Sequence, residues 1–294
     1  MNAPTPSNFA QLYEEQLMLQ TTLPPLSQTA RKLLQLKNSD DGDIARLCEV
    51  IDTDPLLAAQ MVRYGQSSLF GYGQRISSSE QVVSLVLGYE PALYLALGLC
   101  VGKGLRSPAE GPLGLTVLWR DAFYNAELCV QLAKRMPARQ RPVLGMCHLA
   151  GLLHNIGFLL LGHLHPAHFR LINGQFDVDL SLDLQRLERS LLGVSHDVSG
   201  MWLARAWNLP AEVVTAIARH HDEKYDGEYA QYAWLVNVAS HLLSEYGVAE
   251  MAADRPSARL IEALGLDDEA VEEAMAKTLE GQSELLDLAD TMAA

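Results

Sequence analysis

The residues of this 294-residue chain whose types and spacing could do chemistry gather in its second half. His154 and Asn155 stand side by side in Gly151–Gly157, inside an otherwise apolar run from Leu149 to Leu161. Placing a polar pair in apolar surroundings is costly unless each group finds a partner, so the pair has either a structural or a chemical task. Further on come His196-Asp197 and His220-His221-Asp222-Glu223. Imidazoles and carboxylates are the side chains that hold divalent transition metals. Each group also has a plainer reading. His154-Asn155 could tie two helices by hydrogen bonds, His196 after Ser195 could simply start a helix, and His220-His221 could interact with a helix dipole. His163, His165 and His168 flank a turn proline, Pro166, and read as surface or packing residues.

The elements that must position these groups all read as helices. Ser27 is suited to cap a helix through Leu36, Asp43 to start one over Ile44–Ile51, and Thr53-Asp54-Pro55 to start one over Leu56–Tyr64. Ser77–Ser79 cap a segment that runs to Leu87 and breaks at Gly88. Pro91 then opens an apolar helix to about Gly102. In the second half, helices are expected over Leu115–Met136, over Val143–Leu161 as one central element, and from 166 to 173. Others follow over Leu180–Leu192, from His196 to Trp207 with Ser195 as cap, from Pro210 through His220, and over Tyr229–Tyr246. The chain ends in helices near 257–264 and 267–290. A short helix is also expected over Phe9–Leu19. No sustained period-two pattern and no hairpin turn between β-branched runs appears, so the expectation is an all-α protein. It divides into a tail (1–19), a first helical lobe (20–114), a second (115–250) and a helical extension (251–294).

With 22 basic against 36 acidic residues, the formal charge is −14. Little positive field is available to attract phosphates, which argues against nonspecific nucleic-acid binding and against anionic membranes. Arg135, Arg139 and Arg141 form one small basic patch, read as a solvated loop. Cys48, Cys100, Cys129 and Cys147 are widely spaced, form no C-x-x-C pair and sit in apolar contexts, as buried thiols in a reducing cytoplasm would. Met1–Asn8 lacks the pattern of a signal peptide, and the longest uninterrupted apolar run, Leu93–Val101, is too short for a membrane span. The expectation is a cytoplasmic protein.

A family resemblance rests on these residues taken together. Leu23-Pro24-Pro25-Leu26, Asp54-Pro55-Leu56, Ser67, Phe70, Ile76 and Leu87-Gly88 resemble the signature of HDOD domains, helical signalling modules related to HD-type metal phosphohydrolases. The second half is similar to the HD-GYP phosphodiesterase pattern: Gly-Leu-Leu-His154-Asn155-Ile-Gly, Glu188 upstream of His196, Gly200, Trp207-Asn208-Leu209-Pro210, and His220-His221. The resemblance implies an HD-like fold of two helical lobes and a site drawn from His154, Asn155, His196, His220, His221, Asp121 and Ser240. Three ligand positions depart from the catalytic pattern. Asp121 stands where a first histidine is expected, Asn155 where an aspartate follows the central histidine, and Ser240 where a late aspartate is expected. A neutral amide bridges metals less well than a carboxylate, so no hydrolytic activity and no resident cofactor are expected. A divalent transition metal at the remnant site, on His154, His196, His220 and His221, is left open. The leading expectation is a non-catalytic bacterial regulatory module acting in trans on signalling proteins, including those of cyclic-dinucleotide circuits, with homodimerisation open. The alternative is a metal-dependent phosphohydrolase using His154, His196, His220, His221 and Asp121.

Overall fold

Short polar residues at the helix starts do what their spacing calls for. In a computed structural model that describes residues 23–38, 43–102, 105, 110–245 and 256–293, Ser27 Oγ accepts from the Ala30 amide at the head of α1 (Gln28–Lys37). Asp43 does the same for Ala45 at α2 (Ile44–Asp52). Asp54 accepts from Leu57 at α3 (Pro55–Gly65), where Pro55 takes a first-turn position that has no intrahelical acceptor to lose. The expected helix 9–19, the turn 39–42 and most of the 103–109 linker lie outside the described residues.

After two short 3₁₀ turns, α4 (Ser79–Gln81) runs directly into six residues of π-helix, Val82–Leu87, which Gly88 ends at φ 82°. Sequence periodicity predicts an ordinary α-helix here. A wider winding adds one residue to the turn and is not encoded in the apolar pattern. Then follow α5 (Tyr89–Gly102) and α6 (Leu115–Arg135). The expected central helix is two, α7 (Leu144–Leu153) and α8 (Ile156–Leu164), separated at His154-Asn155. The rest is α9 (Pro166–Val178), α10 (Leu184–Leu192), α11 (His196–Ala206), α12 (Ala211–Arg219), α13 (Ala230–Glu245), α14 (Ala258–Ala263), α15 (Asp268–Glu280) and α16 (Gln282–Ala293). The structure is all-α, with no strand among the described residues.

The last two helices were expected as one. Gly281 divides them, and a Cβ there would come within 2.4 Å of the Leu69 side chain. α16 packs on α3 and α6, with Arg63 meeting Asp287 and Gln60 bonding Met292, so the C-terminal extension clasps both halves of the chain. One hydrophobic core runs from Leu26 to Ala289. All four cysteines are buried in it or at its edge, as expected. At the opposite end, Trp207 Nε1 donates to the Pro24 carbonyl and ties the start of the described chain to the end of α11.

α7 and α8 are the centre of this core. Together, Leu144–Leu164 are long and apolar enough to cross a bilayer, contrary to the expectation drawn from uninterrupted apolar runs, but 94% of their most apolar window is buried inside the protein. Two glycines allow the neighbouring helices to approach. A Cβ on Gly151 would lie 2.6 Å from the Ala126 Cα of α6, and one on Gly157 would lie 1.8 Å from the His196 carbonyl oxygen of α11. These two contacts bring α6 and α11 against the break that carries His154 and Asn155.

Candidate metal centre

His154 follows the last residue of α7, and its Nδ1 lies 2.7 Å from the Gly151 carbonyl. A carbonyl only accepts, so Nδ1 carries a proton, while Nε2 is buried and makes no hydrogen bond. His220 caps the end of α12 and repeats the arrangement, with Nδ1 2.8 Å from the Ile217 carbonyl and Nε2 buried without a hydrogen-bond partner. His196 opens α11. Its Nδ1 meets the Glu188 carboxylate at 2.9 Å, and the same carboxylate accepts from the His196 backbone N–H at 2.9 Å. The expected cap, Ser195, makes no such bond; Glu188, fully buried on α10, takes its place. In all three rings the outer nitrogen is committed to an acceptor, which turns Nε2 inward as a donor atom for something else. That is the outer-shell arrangement that fixes the tautomer of metal-binding histidines.

The inward nitrogens converge. Ligand atoms of His196, His220 and His221 all lie within 4.8 Å of one another, and His154 and His220 pack edge to face with ring centres 5.3 Å apart. Two nitrogens that share a tetrahedral zinc at 2.0–2.1 Å lie about 3.3 Å apart. The donor set therefore fits a transition metal with small side-chain adjustments: the clustered nitrogens of His196, His220 and His221, two of them on rings whose Nδ1 is already committed, with His154 beside them and the Asp121 carboxylate 3.3 Å from His154 Nε2. His196 Nε2 already lies 2.9 Å from His221 Nε2, within hydrogen-bond distance.

The electrostatics separate the histidines. Burial pushes His196 down, but the Glu188 charge and hydrogen bond outweigh it and hold the ring above its ordinary value. Burial, then the neighbouring His154 and His196, press His220 down to about 3. Burial of its ring and then its histidine neighbours hold His221 well below its ordinary value, although the residue reaches the surface. Asp197 is buried, and burial raises it. The facing His196 is the largest of the influences that outweigh burial and hold it below the usual carboxylate value. Phe158 stacks on the His196 ring at 4.0 Å and closes that side to water.

The remaining expected residues fall into two groups. Asn155 and Asp121 join the site: Asn155 Nδ2 donates to Asp121 Oδ2 at 3.0 Å, linking the α7–α8 break to α6, while Asn155 Oδ1 has no partner. Ser240 does not turn to the histidines. It accepts from Asn125 Nδ2 at 2.8 Å and donates to the Val236 carbonyl, a bond between α13 and α6. From α13 it is Asn237, one turn earlier, that reaches the site, donating to the His220 carbonyl at 2.7 Å. Sequence reasoning passed over Asn237, and read Glu188 only as part of a pattern. The signal for Glu188 was a glutamate one turn from the end of a strongly amphipathic helix, eight residues before a histidine. His163, His165 and His168 are not among the clustered histidines.

An all-helical fold whose central helix breaks at a histidine, with further histidines converging from two neighbouring helices, defines the HD-like class. Within it, the HDOD domain family matches residues 23–223, and the chain belongs to that family. Among solved structures, a Marinobacter aquaeolei VT8 protein described as a candidate signal transduction protein is 32% identical, with a TM-score of 0.84. The match covers 97% of this chain and 66% of that one. A Shewanella amazonensis SB2B protein described as a candidate phosphohydrolase shares the fold at 22% identity and a TM-score of 0.74, over 94% of this chain and 98% of its own. An uncharacterised Treponema pallidum protein is 23% identical over 200 residues, 67% of this chain; the match spans 38% of that relative's length.

Proposed function

We propose that the chain is a non-hydrolysing regulatory module that acts on other signalling proteins and retains, in its histidine cluster, a binding site for one divalent transition metal. The observation that carries this reading is the Asn155 bond to Asp121. At the position where the family resemblance calls for a metal-bridging carboxylate, a neutral amide donates into the neighbouring carboxylate and occupies one of its oxygens. A hydrolytic centre needs a metal-bound water at an open coordination position and enough anionic ligand charge to hold the metal there. Here histidines supply most of the donors, and His154, His196 and His220 are all buried. Such a pocket suits a structural or sensory metal better than a phosphodiester. The Marinobacter relative, whose description is signal transduction, supports the same reading.

The competing reading, a metal-dependent phosphohydrolase, draws its support from the same inward nitrogens and from Asp121. An assay with bis(p-nitrophenyl) phosphate in the presence of manganese, iron(II) or zinc separates the two. No metal-dependent turnover is expected. Turnover by the wild type that disappears in His154→Ala would overturn the proposal.

A further inference from the structure

A second buried polar cluster lies outside the histidine site, on the other side of α6 and α7. There Tyr64 of α3, Glu127 of α6 and His148 of α7 line a cavity of about 250 Å³, with Lys134 also on its wall. The remaining walls are apolar, among them Phe70, Val86, Leu87, Leu95 and Val130. Pockets for drug-sized ligands run about 300–1,000 Å³, so this one suits a smaller molecule.

The polar groups are short of hydrogen. Gln131 Nε2 donates to Glu127 Oε1 at 2.7 Å, which leaves Oε2 to find its own donor. Among the described residues the hydroxyl bonded there is that of Tyr64, 3.4 Å from Glu127 Oε2 and 3.0 Å from His148 Nε2. It has one proton. Given to Glu127, it makes His148 the donor to the phenol oxygen and leaves His148 Nδ1 as a lone pair with no partner. Given to His148, it strands Glu127 Oε2. In both arrangements a buried acceptor lacks a protein donor, and with Tyr64, Glu127 and His148 only 2%, 4% and 7% exposed, what occupies the cavity is the natural source of the missing donor. A third feature coincides with this one. The π-helical stretch Val82–Leu87 forms part of the wall through Val86 and Leu87 while turning Leu85 out to 56% exposure. π-helical turns occur disproportionately at functional sites.

We propose that this cavity binds a small aromatic heterocycle bearing an amino group or ring N–H, whose donor completes the Glu127–Tyr64–His148 network while its ring packs on the apolar walls. Ring burial supplies a nonspecific part of the affinity; the N–H to a buried carboxylate supplies discrimination.

The test is a calorimetric titration of the full chain with 2-aminobenzimidazole, which carries both features. Saturable one-to-one binding is expected. Glu127→Gln should weaken it by about tenfold or more, the weight of a hydrogen bond to a charged group. Val130→Trp, which fills the cavity, should abolish it while leaving metal uptake by the histidine cluster unchanged. Should Val130→Trp fail to give a cooperative melt, Val86→Trp fills the same cavity from the π-helical stretch. No saturable binding by the wild type at the solubility limit of the probe would overturn the proposal, and so would undiminished binding in Glu127→Gln and the filled-cavity variant.

Discussion

Replacing Asn155 by aspartate tests the site most directly. In the wild type the Asn155 amide donates to Asp121 Oδ2 at 3.0 Å, with the two residues 5% and 6% exposed. In Asn155→Asp, two carboxylates would face each other at that distance. Their repulsion at an effective dielectric constant near 20 is about 5.5 kcal/mol. The pair has a cheaper option, which is to take up a proton. At pH 7, protonating a carboxyl whose ordinary value is about 3.9 costs about 4 kcal/mol, and at pH 5 only about 1.5. Proton uptake therefore wins and caps the penalty. Urea unfolding in the presence of EDTA should find Asn155→Asp about 4 kcal/mol less stable than wild type at pH 7, with most of that difference gone at pH 5. Zinc or manganese should reverse the effect, because a divalent ion between the carboxylates replaces the proton. Elemental analysis should then find more metal in the variant than in the wild type. A variant as stable as wild type in EDTA at pH 7, or a penalty that does not shrink at pH 5, would refute the pairing on which this reasoning stands.

Other expectations follow from the same geometry. Glu188→Ala leaves the buried His196 ring and its backbone N–H without their shared acceptor; a loss of about 3–5 kcal/mol by denaturant titration is expected, and a 10–100-fold fall in metal affinity by competition with a chromophoric chelator. Gly157→Ala drives a methyl group to 1.8 Å from the His196 carbonyl, so α8 and α11 must part; about 1–3 kcal/mol of destabilisation is expected, together with weaker metal binding. Acidification should expose His148, which burial pushes from its ordinary 6.5 down to about 4. The unfolded chain binds this proton first, so the contribution is present above pH 6.5, declines as the pH falls, and is lost below about 4. His148→Gln should remove up to about 3 kcal/mol of the acid destabilisation seen between those limits in wild type.

Much of the scaffold was legible because its signals are local. Ser27, Asp43 and Asp54-Pro55 act within one turn of themselves, and each starts a helix where its spacing says it should. The two interruptions that sequence reading missed, at His154-Asn155 and at Gly281, answer to partners far along the chain: Asp121 and the α11 backbone in the first case, Leu69 in the second. The π-helical stretch likewise has no periodic trace. For the candidate site, the residue types His154, Asn155, His196, His220, His221 and Asp121 could be picked out beforehand, since clustered histidines in apolar helices are rare enough to notice. Their roles could not. Whether Ser240 or Asn237 faces His220 depends on the rotation of α13, and whether Ser195 or Glu188 caps α11 depends on where α10 docks. The Tyr64–Glu127–His148 cavity joins three helices whose polar members look unremarkable one at a time. Sequence alone determined an acidic, all-helical chain whose His154, His196, His220 and His221 resemble an HD-like set, with Asn155 where the resemblance calls for a carboxylate. Tertiary structure decided which nitrogens point inward, because a ring's tautomer is set by the acceptor behind it, and that acceptor is delivered by packing rather than by neighbouring residues.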